Sequence, residues 1–172
     1  MEPKMAGRVD GSYRPAGQRL QAISPFAGLI TGTKIRTPDT EMAVQDLKAG
    51  DDVMTRNGGA VSVLQLETVD LVTQAIQISA GSLGALQPDH DVLLPADQMV
   101  LIRDWRANSL LGQPQAMIAA LALVDDEFIQ DHGEQLLTLH RIYCGAPRVL
   151  YANGLEVASA DDAVSNRGQH AA

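Results

Sequence analysis

Cys144 is the only cysteine in the chain, so no internal disulfide can form, and the composition suits a reducing compartment. Aromatic side chains are also scarce, at 3%, which leaves Val, Leu, Ile, Ala and Met to fill an interior. No apolar run approaches the roughly 18 to 20 residues needed to cross a bilayer, so no membrane-spanning helix is expected. Clustered Lys and Arg are absent as well. The formal charge is −8, and nucleic acid is not an expected partner, because phosphate binding needs basic clusters. Met1 to Leu20 contains no apolar core segment, so no Sec-type leader is expected and the cytoplasm is the default location. His132, His140 and His170 have no spacing that pairs them with Cys144 or each other as ligands, so neither a metal nor a cofactor is expected.

What remains is globular. A hydrophobic fraction of 45% over 172 residues suffices for one domain with a core. Met1 to Gln21 is polar and without period, and reads as an N-terminal arm. The ordered domain is expected over residues 22–160, followed by a polar tail over 161–172. Lys34-Ile35-Arg36 alternates as a half-buried strand does, and Pro38-Asp39-Thr40 punctuates it. Gln45-Asp46-Leu47 reads as one helical turn that Gly50 can end in a left-handed conformation. Asn57-Gly58 signals a hairpin between Val53 to Thr55 and the alternating run Val61 to Val69. Ala75 to Ile78, Val92 to Leu94, Met99 to Ile102, Gln135 to Tyr143, Arg148 to Tyr151 and Leu155 to Val157 read as further strands. Ala, Leu and Met between Gln115 and Val124 favour a helix, with Gly112 and Pro114 interrupting anything earlier. The expected fold is therefore mainly β, a single domain of short curled strands and hairpins with one short helix near 115–124. Cys144 reads as a small core hydrophobe, and His140, alternating with Leu139, as solvent-facing.

The stretch from Gly28 to Gly59 carries a family resemblance. It contains Gly32-Thr33-x-Ile35, Thr37-Pro38, the pair Ala43-Val44, and Asp46-Leu47-x-x-Gly50-Asp51-x-Val53. This pattern resembles the opening of a Hint domain, the fold shared by hedgehog C-terminal domains and inteins, in its bacterial form. Three further stretches follow in the order that family shows. Leu86 to Leu94 resembles the middle block, in which a Thr or Ser and a His flank a Pro. Val100 to Ile102 with Leu110 to Pro114 is similar to a segment of the bacterial group, and Val149 to Val157 to the closing block.

The chemistry implied by the resemblance is self-cleavage. A Cys or Ser attacks the carbonyl of its own preceding peptide bond, and a middle-block His acts on that peptide as an acid. Here the nucleophile's position holds Gly28, the acid's position holds His90, and the Thr or Ser before that His is replaced by Gln87. Ala158 and Ser159 stand where inteins end on His-Asn. Ser24 is out of register with Gly28, and Thr31 and Thr33 read as strand hydroxyls. The expectation is a degenerate Hint-type domain without self-cleavage, kept as a binding or structural module for an unidentified protein partner. The alternative is an active autoproteolytic domain with a non-standard nucleophile and His90 as acid. Whether the chain is an enzyme at all stays open between these two.

Overall fold

A computed structural model describes residues 27–84 and 87–161. The expected arm Met1 to Gln21, Leu86 of the middle block and the tail beyond Asp161 lie outside the described residues. In chain order the strands are β1 (Leu29–Ile30), β2 (Lys34–Arg36), β3 (Glu41–Ala43), β4 (Asp52–Thr55), β5 (Gly59–Ser62) and β6 (Gln65–Ile78). They continue as β7 (Val92–Pro95), β8 (Met99–Ile102), β9 (Ala116–Ala119), β10 (Ile129–Tyr143), β11 (Val149–Ala152) and β12 (Leu155–Ala158). The fold is mainly β, as the patterning predicts. Short 3-10 turns cover Val44–Asp46 and Ala120–Leu123.

Two sheets result. The larger runs β9-β8-β12-β11-β2-β3, with β4 attached to β11 and β5 attached to β4. The smaller runs β1-β10-β6-β7 and is dominated by the long antiparallel pair of β6 with β10. Ile35, Val53, Ile76, Ile78, Leu94, Val100, Ile102, Leu150, Leu155 and Val157 form one continuous core between them. Each of these side chains is withdrawn from water almost completely, and burial of such residues stabilises by about 1.5 to 3 kcal/mol apiece. A smaller cluster of Ala75, Leu137 and Leu139 holds the other face of the long pair.

Two expectations are corrected here. The run Val61 to Val69 is not one strand. Val63 donates its amide to Asp51 and Leu64 donates to Tyr143, so consecutive residues serve different sheets. β6 then continues unbroken and absorbs Ala75 to Ile78.

The helix is also elsewhere. The single α-helix among the described residues, α1, spans Trp105–Leu111. Asp104 caps it by accepting from Arg106 N at 2.9 Å, and Gly112 ends it at φ 67°. Residues 115–124, expected to be helical, instead form β9 and a 3-10 turn. Strand β8 supplies the reason, because it pairs with β9 from Ala116↔Ile102 to Ala119↔Met99. That pairing places Ile118, Ala120 and Leu123 in the core, and packing overrides helix propensity.

Candidate functional site

Strand β1 is only two residues long, so the peptide just before it lies beyond the backbone ladder and is held by side chains. That peptide is Ala27–Gly28. Its carbonyl oxygen accepts from Arg141 Nε at 3.0 Å, and its N–H donates to Gln98 Oε1 at 3.0 Å. Both sides of one peptide bond are thus held by side chains. Gln98 comes from the turn between β7 and β8 and is 3% exposed. Its Nε2 donates to Met99 O at 3.1 Å and to Ala158 O at 3.0 Å. One amide therefore ties the chain's entry, its middle turn and its closing hairpin together.

Gly28 is fixed by shape as well as by hydrogen bonding. Its φ is 145°, and a Cβ there would stand 2.9 Å from Leu139 Cβ. No side chain fits at position 28 without displacing β10, which pairs with β1 through Leu139↔Ile30 and His140↔Leu29. The cleft beside Gly28 is lined by Gln98, His140, Leu150, Ala158 and Ser159 and encloses about 10 Å³, room for about one water.

The hydroxyl in that cleft is already engaged. Ser159 Oγ accepts from Arg148 N at 3.1 Å and donates to Asp161 Oδ2 at 2.9 Å. Asp161, expected as the first tail residue, is 2% exposed and also accepts the amides of Cys144 and Gly145 at 2.5 and 2.6 Å. The closing segment is therefore anchored through Asp161. Cys144 sits in the core as expected, and burial, with Asp161 adding to it, pushes its thiol up to about 11. It is a poor nucleophile near neutrality.

The sequence-predicted residues do not converge. His90 lies on the loop before β7, 55% exposed, with Nδ1 paired to Asp89, and it does not line the cleft. Gln87 turns within the same loop, its backbone bonded to Leu83 and Gly84. The residue that meets Gly28 is Gln98, which the motif reading passed over. A glutamine in a turn carries no local signal, and only the contact across sheets reveals its role.

His140 also departs from expectation. It is 9% exposed rather than solvent-facing, because β10 is flanked by β1 on one edge and β6 on the other. Burial lowers its pKa below the usual histidine value. Thr33, by contrast, behaves as the local hydroxyl expected of it and donates to Ile30 O at 2.7 Å.

An entry strand, a middle turn and a closing hairpin that converge on one peptide bond, within two curled sheets, define an intein-like β domain. Residues 27–163 match the Hint domain family, and the chain belongs to it. Three solved structures share the fold. The bacterial intein-like domain from Clostridium thermocellum is 15% identical, with a TM-score of 0.50 over 77% of this chain and 97% of that one. The DnaB intein from Synechocystis sp. PCC 6803 is 13% identical, with a TM-score of 0.50 over 77% and 99%. A variant of the gp41-1 intein is 14% identical, with a TM-score of 0.50 over 76% and 98%. At these identities the likeness speaks for the fold alone. No curated protein matches the chain in sequence. Among the described residues no helix is long and apolar enough to cross a membrane, and no group of His, Cys, Asp and Glu could hold a metal ion.

Proposed function

We propose that this chain is a Hint-type domain that has lost self-cleavage and persists as a structural or protein-binding module. One observation carries the reading: the peptide bond in the position of cleavage is built into the fold. Arg141 holds its carbonyl and Gln98 its N–H. Release of the upstream segment needs a nucleophile on the carbonyl carbon and a proton for the departing nitrogen. Gly28 supplies no nucleophile, and Gln98 meets the nitrogen with an acceptor oxygen that has no proton to give. Arg141 could stabilise an oxyanion, but residue 28 carries no side chain to form one. The overall acidic charge favours a protein over a nucleic acid as the bound partner.

The test is the intact mass of the purified chain after prolonged incubation, with and without thiol or hydroxylamine. A single unchanged mass is expected. A fragment released at the Ala27–Gly28 bond would overturn the reading and restore the active alternative. In that alternative His90 is the acid, and cleavage must then vanish in His90→Ala.

A further inference from the structure

We propose that Thr31 and His140 form a hydroxyl–imidazole nucleophile, oriented by Thr68, that accepts an acyl group from small activated esters. Thr31 follows directly after β1 and is exposed. Its Oγ1 lies 2.8 Å from His140 Nε2. The opposite ring nitrogen, Nδ1, lies 3.4 Å from Thr68 Oγ1, and Thr68 is the cross-strand partner of His140 in the β6–β10 ladder. A nucleophile in contact with a base, and a third group on the far side of that base, is the arrangement that activates a hydroxyl.

The reactive form is the tautomer with the proton on Nδ1, facing Thr68 Oγ1, which turns the lone pair of Nε2 toward the Thr31 hydroxyl. Burial keeps the imidazole neutral near pH 7, which is the form a general base requires. Access is open beside Thr31, since among the described residues nothing lies within 4 Å of the Cβ position at the neighbouring Gly32. The site adjoins the Gly28 cleft, which His140 also lines, but needs no cleavage of the chain.

The step balances simply. Thr31 Oγ1 bonds to the ester carbonyl carbon while His140 Nε2 takes the hydroxyl proton. The bond from that carbon to the leaving oxygen breaks, and the proton passes to the departing alcohol or phenol. The acyl group stays on Thr31. The nearby amides are already committed, Gly32 N to Gln45 Oε1 and Thr33 N to Ile30 O. Without a free donor for the oxyanion, the reaction is a single slow transfer to a good leaving group and not rapid turnover. The carboxylate of Asp70, held by Thr138 further along the same face, disfavours anionic acyl groups.

The experiment treats the full chain with p-nitrophenyl acetate near neutral pH and maps acetylation by peptide mass spectrometry. One acetyl group on Thr31 is expected. Thr31→Val removes it, Thr31→Ser retains it, and His140→Gln slows it by about 100-fold, the lower end of general-base contributions. Acetylation confined to lysines and the N-terminus overturns the proposal, as does labelling of Thr31 at an equal rate in His140→Gln. Because the readout is an added acetyl and not a lost fragment, it is independent of whether the chain self-cleaves.

Discussion

His90 and Gln98 stand on either side of strand β7, the first on the loop that follows Pro88 and the second closing a turn that begins at Pro95. The first has the side chain that acid catalysis needs and lies half-exposed, paired with Asp89. The second has a neutral amide and lies buried against the backbone of Gly28. Chemical type and location have come apart. A side chain's reactivity says what it could do, whereas the topology decides which peptide it meets. In this fold the meeting place is set by the β7–β8 turn, because that turn faces both the entry to β1 and the end of β12.

The largest effect is expected where the comparison is sharpest, at Gly28 itself. Gly28→Cys must adopt φ near 145° and force Leu139 aside. Backbone strain and overpacking each cost about 1 to 3 kcal/mol, or about 4 kcal/mol together. Urea unfolding measures it. A cysteine variant as stable as the parent would mean that position 28 can hold a nucleophile without disturbing β10. Next comes Gln98→Ala, which strands the buried amide of Gly28 and removes two donations to Met99 O and Ala158 O. A destabilisation of about 3 kcal/mol is expected, since each buried group left without a partner costs about 1 to 3 kcal/mol. A change below about 1 kcal/mol would show that Gln98 does not tie the two sheets.

Turn chemistry is plain in the sequence, whereas depth in the fold is not. The order of the Hint blocks was legible because turns announce themselves: Asn153 takes φ 52° and its Oδ1 accepts from Lys34 N, as an Asn-Gly turn invites. The helix was legible in kind but not in place. Asp104 and Gly112 bracket α1 with an N-cap and a positive-φ stop, yet the Ala-Leu run further on has the stronger helix propensity, and only pairing with β8 shows why that run is extended. His140 is buried although its alternation points to solvent, because alternation assigns faces but not depth. β10 is the second strand of a four-stranded sheet, and its end at Leu139 to Ile142 lies under the closing segment, with Ala160 N bonded to Ile142 O.

His140 yields a smaller, pH-dependent effect. Burial holds its folded pKa below the unfolded value near 6.5, so the unfolded chain binds the proton more readily. Stability contributed by the neutral ring is complete above that value. It declines as pH falls from about 6.5 toward the folded pKa. Denaturation midpoints measured in steps between pH 7.5 and 5 should fall for the parent and stay flatter for His140→Gln. Equal slopes in the two proteins would remove His140 as the cause.

The smallest effect is expected at His90, and it closes the comparison with Gln98. His90 makes one described side-chain contact, to Asp89, and both side chains are more than half exposed. Exposed pairs of this kind contribute about 0 to 1 kcal/mol and are screened by salt. His90→Ala is therefore expected to shift stability by less than about 0.5 kcal/mol, several-fold less than Gln98→Ala, with no change in the intact mass on incubation. The two substitutions together should add, because the residues share no hydrogen-bond partner among the described contacts. A non-additive double variant would mean that the loop before β7 and the turn after it act on the same peptide, and that His90 reaches Gly28 in a second arrangement of that loop.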